Sequence, residues 1–336
     1  MHTGRHRVGV VAELPAALLE CGVDPHDVLA AAEVPADLLR DPENFMDFPT
    51  LGRLFEAAVA ATGRPHFGLL VGRRGGIHSL GLVGRLMATA PTVKDAILDL
   101  CVNQVRYIDG AVTYLSVQDG FGLWGYTVQV PGLRGVSAIL DGSTGVRTRC
   151  LEQLANLRTD QIRLSRDAPV DVSPYRIAFG VTPDFNAEQT CIVLSPEQLA
   201  APVRTADPSL RRLLQNRVIE YWARAQPTVA ERVRRALAAY LSAGEASLDA
   251  VAAALGLGPR TLTRKLQAEG TNFRSVLEIA RHDVARHLLG ATRMPVTDIG
   301  IALGYESSAN FTRAFRRTVG AAPSEWRRAY AAAGAE

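Results

Sequence analysis

The sequence predicts two unlike folds on one chain. The first is an α+β N-terminal domain, helix-rich with a small antiparallel sheet; the second is an all-α C-terminal domain with two helix-turn-helix units. Three observations predict this. Apolar residues recur at helical spacing through most of the chain, punctuated by Pro and Gly. β-prone runs are confined to the stretch between Ala111 and Leu194. A helix–glycine–helix unit occurs twice in the last hundred residues.

The totals set the outer limits. With 336 residues, 47% apolar and 21% charged, the chain has enough core for two or three domains and the balance of a globular protein. No apolar run approaches the ~20 residues that cross a bilayer, so no membrane partner is expected. The N-terminus is basic and then apolar, but Glu13, Pro15 and Glu20 interrupt it. It therefore reads as an amphipathic helix rather than a secretory signal, with a cytoplasmic address as the expectation. Cys21, Cys101, Cys150 and Cys191 are scattered, which gives neither a zinc knuckle nor a redox pair and suits small buried hydrophobes. His282 and His287 are five apart and do not share a helix face as i, i+4 would. No metal or cofactor is expected.

The elements follow in order. Helices are expected in "ELPAALLECG", "DPHDVLAAAE", "DFPTLGRLFEAAVAATG" and "PTVKDAILDLCVNQVRYI". Two β-prone runs in Ala111–Val130 flank Asp119-Gly120, a hairpin signal. A helix follows in "VSAILDGSTGVRTRCLEQLA", then short strand candidates in "QIRLS", "YRIAFG" and "TCIVL". Ser195-Pro196-Glu197 and Asp207-Pro208 open helices with Pro in the first turn. Thr228 and Glu231 form a capping box. The stretch "AQPT" marks the boundary between residues 1–226, read as an effector-binding and dimerisation domain, and residues 228–330.

Charge is shared unevenly. Residues 1–227 carry 22 basic and 24 acidic side chains, residues 228–336 carry 15 and 10, and all the basic residues but Lys94 and Lys265 are Arg. Arg presents a rigid donor fork suited to phosphates and guanine edges. In the first unit, residues 247–270, Leu248, Val251, Ala252 and Leu255 form an apolar face. Gly256 ends that helix and Pro259 opens the next. With Leu262 and Leu266 turned to the core, Arg260, Thr263, Arg264 and Gln267 face outward. In the second unit, residues 296–320, Ile299, Ala302 and Leu303 pack inward and Gly304 ends the helix. Phe311 and Phe315 anchor the next helix, leaving Ser308, Thr312, Arg313 and Arg316 outside. Residues 273–290 read as one connecting helix, ~27 Å long at 1.5 Å per residue. Such a helix could set two recognition helices one DNA turn apart, about 34 Å. Double-stranded DNA is the expected partner, and a six-helix packing domain with a solvated arginine face is the alternative.

These residues give the chain a resemblance. Across roughly 228–330 it is similar to the DNA-binding domain of the AraC/XylS family of bacterial transcription regulators. The resemblance lies in "SLDAVAAALGLGPRTLTRKLQAEG", in Arg281, Ala285 and Leu288-Leu289, and in "VTDIGIALGYESSANFTRAFRRTVGAAPSEWR". Gly320 to Arg327 closes the match, and Leu266 stands where many members have Phe. The N-terminal half resembles the sensor of amino-acid-responsive and virulence-associated members, in "LLECGVDPHDVL", "HFGLLVGRRGGIHSLGLVGRLMATAPTVKDAI", "RYIDG" and "FNAEQTCIVLSPEQL". It departs from the β-rich sugar-binding domain of the family's namesake, so an arabinose ligand does not carry over. The resemblance implies a ligand-responsive regulator, an activator that contacts RNA polymerase, and a homodimer.

No enzyme pattern competes. There is no phosphate loop, and "IHSLG" has Ile77 where a nucleophile elbow needs Gly. Two alternatives stay open: a cysteine-based DNA repair protein that transfers an alkyl group, and a metabolic enzyme fused to a DNA-binding domain. In Gly68–Gly81, Arg73, Arg74 and His78 among glycines are candidates to hold an anionic effector group, against a solvated turn as the alternative. Arg106 and Tyr107 read as a capping and packing pair. The effector's identity and pocket are not legible in the sequence.

Overall fold

Proline, glycine and short polar caps decide where most of the helices begin and end. The computed structural model describes residues 4–104, 108–118, 120–130, 132–223 and 228–333. The N-terminal helices are α1 (Leu14–Glu20), α2 (Pro25–Ala31), α3 (Phe48–Thr62), α4 (Phe67–Arg74), α5 (Gly81–Met87) and α6 (Val93–Asn103). Asp24, Asp47 and Thr92 cap α2, α3 and α6 by accepting N–H groups of the first turn at 2.8–3.2 Å. Before, between and after these helices run β1 (Arg5–Arg7), β2 (Phe45–Asp47) and β3 (Ile108–Asp109), an antiparallel sheet in the order β2-β1-β3. The sequence reading placed only helices in the first hundred residues. Strands of two or three residues are too short to show alternation, so only the pairing reveals them.

The larger sheet holds β4 (Ala111–Gln118), β5 (Phe121–Val128), β6 (Gln161–Arg163) and β7 (Cys191–Leu194), ordered β4-β5-β7-β6 and antiparallel throughout. It includes the expected hairpin and two of the three expected strands. The third, "YRIAFG", is instead part of α8 (Ser173–Phe179), which follows α7 (Val136–Ala155). Pro174 sits in its first turn and Gly180 closes it at φ 80°. Tyr175 and Phe179, four apart, are buried while Ile177 is 82% exposed. A strand would have put all three on one face; a helix does not.

Beyond β7 the chain is helical: α9 (Pro196–Ala200), α10 (Pro208–Ala223), α11 (Val229–Ser242), α12 (Leu248–Ala254), α13 (Pro259–Ala268), α14 (Phe273–Ala291), α15 (Val296–Ala302), α16 (Ser308–Val319) and α17 (Pro323–Ala333). Ser195 and Thr228 each form a reciprocal capping box, with Gln198 and Glu231. Asp119, the pair Arg106 and Tyr107, and residues 225–227 of the expected boundary lie outside the described residues. Among the described residues no helix is long and apolar enough to cross a membrane.

Helices α4 and α7 cross with their backbones in contact. A Cβ on Gly68 would stand 1.9 Å from the Ala138 carbonyl oxygen, and one on Gly72 would stand 2.1 Å from that of Gly142. Glycines four apart form one face of α4, and only Gly permits that approach. One apolar core lies below this crossing, around Leu14, Phe48, Leu54 and Phe67. A second runs from Trp124, Tyr175 and Ile192 through Val233 and Leu237 to Phe311 and Phe315, so the apolar interior continues from the larger sheet into the C-terminal helices. Each large side chain fully buried there contributes roughly 1.5–3 kcal/mol before entropy is counted.

Candidate nucleic-acid interface and ligand cavity

The first helix–turn–helix is built from α12 and α13. Ser247 Oγ accepts the Ala250 N–H at 3.1 Å and starts α12. Gly256, at φ 66°, reverses the chain, and the Leu257 N–H donates to the Ala252 carbonyl at 2.9 Å. Pro259 opens α13, whose Leu262 and Leu266 are fully buried. Arg260, Thr263, Arg264 and Gln267 are all exposed on the other side. Thr263 Oγ1 donates to the Pro259 carbonyl at 3.0 Å, which fixes its rotamer one turn back.

The second unit repeats the plan with α15 and α16. Gly304 turns the chain at φ 76°, and the Tyr305 N–H donates to the Gly300 carbonyl at 3.0 Å. Ser307 caps α16. Phe311 and Phe315 are buried with ring centroids 5.8 Å apart, and Phe315 meets Trp326 edge-on at 6.3 Å. Arg313 and Arg316 are exposed, while Ser308 and Thr312 are half-buried. Arg313 Nη2 donates to Asn310 Oδ1 at 2.5 Å.

Arg281 pairs with Glu278 at 2.6 Å, and Arg234 and Arg286 both reach Asp283. Arg260, Arg264, Arg313 and Arg316 form no ion pair with any described residue. The two helices therefore present uncompensated cations and hydroxyls on faces whose opposite sides are core, the requirement for entering a groove. The closing Gly320-to-Arg327 stretch has a different task. Gly320 ends α16 at φ 84°, and Arg327 donates to the carbonyls of Leu289 (3.1 Å) and Met294 (2.6 Å). It fastens α17 to the end of α14.

Helix α14 joins the two units and also faces the larger sheet. Its 19 residues correspond to about 28 Å. His282 Nε2 meets Thr318 Oγ1 at 2.9 Å, tying α14 to α16. On another face His287 meets Thr127 Oγ1 at 2.9 Å and the Gln129 amide. Burial lowers the His287 pKa to about 4, so the ring is neutral at pH 7. The Arg293 guanidinium donates to the carbonyls of Asn186 and Ala187, Lys94 pairs with Glu245, and Tyr330 Oη donates to the Gln129 carbonyl. A gap of about 390 Å³ remains in this seam, between β4 and α11 and α14, with Tyr114 and His287 among its lining residues.

A second cavity, about 100 Å³, lies inside the N-terminal half between the two sheets and α3, α4, α6 and α7. Its walls include Val71, Leu100 and Ile139, with His6, Arg7, Gln104, Thr113, Tyr126 and Arg147 among the residues supplying polar atoms. Arg147 is 2% exposed. It donates to the Trp124 carbonyl, to Thr144 Oγ1 at 3.1 Å and to the Ser143 carbonyl at 3.3 Å, and no described carboxylate pairs with it. Burial pulls its pKa down to about 10, which still leaves it cationic at pH 7. A buried charge without a counter-ion costs about several kcal/mol. The His6 imidazole is driven down to about 4 by burial, and its Nδ1 has no hydrogen-bond partner.

Of the sequence candidates for an anion site, none lines this cavity. Arg73 is held by Glu152 at 2.9 and 3.3 Å, Arg74 by Glu13 and Glu20, and His78 is exposed. The neighbouring Ser79 and Leu80 do reach it. The sequence reading missed Arg147, because one arginine in a helix full of Gly, Ser and Thr gives no sign of burial.

Comparison with known proteins agrees with this layout. Residues 22–203 match the family model described as the arabinose-binding domain of AraC transcription regulator, N-terminal, and residues 251–329 match a helix-turn-helix domain model. The chain is 26% identical over 319 residues to the HTH-type transcriptional regulator VirS of Mycobacterium tuberculosis, covering 92% of each chain. It is 27% identical over 322 residues to the ornithine utilization regulator of Pseudomonas aeruginosa, again covering 92% of each. Among solved structures it is similar to the transcriptional regulator CdpR of Pseudomonas aeruginosa, with 24% identity, TM-score 0.46 and coverage of 90% of this chain and 96% of that one. With a sensor-domain model matching more than half of its length and a helix-turn-helix model matching the remainder's core, the chain belongs to the AraC family of transcription regulators.

Proposed function

We propose that α13 and α16 enter successive major grooves on one side of a DNA duplex. Arg260, Thr263, Arg264 and Gln267 would contact one segment, and Ser308, Thr312, Arg313 and Arg316 the next. The observation that carries this reading is the pair of exposed arginine faces without ion pairs, each backed by a buried apolar stripe. Residues 1–226 bind a small effector and form the homodimer, and residues 228–330 bind DNA. The chain activates transcription through RNA polymerase.

The larger sheet offers the route from effector to DNA. Side chains alternate along a strand, so Thr113 and Tyr126 meet the inner cavity while Val112, Tyr114 and Thr127 face α11 and α14. An effector that favours one position of β4 and β5 thereby favours one docking of the DNA-binding helices, through its differential affinity for the two states.

Catalysis has less support than binding. Cys101, Cys150 and Cys191 are buried, and burial pushes all three thiols up, Cys150 to about 12 and Cys191 to about 11. These three thiols, protonated at neutral pH, are poor nucleophiles there, while Cys21 is half-buried.

The test is a titration of the full chain against DNA from its own upstream region. Six to ten phosphate contacts would weaken binding roughly a thousandfold or more between about 50 and 200 mM salt. Binding that ignores salt, or no binding to any duplex, removes the proposal.

A further inference from the structure

This inference rests on the reading that the N-terminal half holds the effector, and it names the effector's chemistry. Arginine has five N–H donors, of which three are used by Trp124, Thr144 and Ser143. Two N–H groups of Arg147 remain without a protein partner, on a charged group that water barely reaches, at the wall of a cavity. A carboxylate matches both the charge and the fork geometry of a guanidinium. Arg7 also lines the cavity, but its guanidinium is engaged by Glu43 and the Ser79 carbonyl; the other walls combine aliphatic and aromatic groups with neutral polar side chains such as Gln104 and Thr113. Its volume, about 100 Å³, sets the size: an apolar cavity of about 150 Å³ holds a benzene ring. The unpartnered Nδ1 of His6 supplies one further, uncharged hydrogen-bonding site.

We propose that this cavity is the effector site and that it takes a small monocarboxylate with a compact apolar body of roughly three or four carbons. The carboxylate lies against the spare N–H groups of Arg147, and the apolar body lies among Val71, Leu100, Ile139 and Val146. A diamino acid would bury a cation beside Arg147 and Arg7.

The experiment is calorimetric titration of the full-length chain with isobutyrate and isovalerate, beside isovaleramide, isoamylamine, decanoate, arabinose and ornithine. The two short acids are expected to bind roughly 10- to 100-fold more tightly than the amide, the ratio a charge-assisted pair supports. Equal affinity for acid and amide, no binding of either short acid, or tighter binding of arabinose or ornithine overturns the proposal. In Arg147→Gln the preference for acid over amide is expected to vanish; its survival overturns the site. Leu80→Trp fills the cavity while leaving the arginine in place. It is expected to lose isovalerate binding at least about tenfold, and unchanged binding again overturns the site. The same preparation is titrated with DNA. A chain that binds DNA and ignores the acids sinks this inference alone, whereas one that never binds DNA sinks the proposed function.

Discussion

Arg264 and Arg147 show how far the setting of a charge decides its use. Both are helical arginines without a carboxylate partner. Arg264 is exposed, where an unpaired cation costs little and remains free to meet an anion. Arg264→Ala and Arg313→Ala should each weaken DNA binding by about 1–3 kcal/mol and relax preference at particular base pairs, as measured by fluorescence anisotropy on a panel of single-base variants. A uniform loss across the panel would make them phosphate contacts instead. The outward faces of α13 and α16 were legible because leucine and phenylalanine spacing fixes which side is core. The partners of Arg73 and Arg74 were not: Glu13, Glu20 and Glu152 lie 54 to 79 residues away in sequence.

At the scale of elements, the run "GLLVGRRGG" changes meaning. As sequence it offers glycines beside arginines, the pattern of an anion-binding loop. In the fold it is mostly α4, and its glycines exist so that α7 can approach. Gly72→Ala places a methyl group 2.1 Å from the Gly142 carbonyl oxygen, and backbone cannot yield as a side chain does. We expect a loss of at least about 3 kcal/mol of stability in urea unfolding, the upper end of the usual cost of a small-to-large change. A loss below 1 kcal/mol, in the range of an ordinary surface change, would mean the helices do not cross so closely. The glycine spacing of four was the available signal, since it marks one helix face, but its partner helix could not be named without the fold. Helix α8 teaches the complementary lesson. Alternation of Tyr175, Ile177 and Phe179 imitates a strand, and the cap at Gly180 overrules it.

For the whole molecule the seam between α14 and the larger sheet matters most. His287 sits in it, neutral, with its pKa lowered to about 4 by burial. The unfolded chain takes up a proton there below about 6.5, and the folded chain does not until about 4. Its contribution therefore turns against the folded, docked state as pH falls through that window. Relative to wild type, His287→Gln should gain about 2 kcal/mol between pH 7 and pH 5, read from paired denaturant titrations, because it lacks the group that prefers the open state when acidified. A pH-independent difference would mean that the ring is already solvated.

Sequence by itself determined the local grammar of this protein: helix caps, the β4–β5 hairpin, and two helix-turn-helix units whose apolar spacing leaves an arginine face outside. Those are decided by neighbours within a few turns, and periodicity records them faithfully. Only the tertiary structure decided which charges are buried, which glycines touch another helix, and where a cavity is left between two sheets. Such features join residues tens to hundreds of positions apart, and nothing in the local pattern of Arg147 distinguishes it from an arginine in water. The exposed arginine faces were therefore readable in advance, and the inner cavity was not.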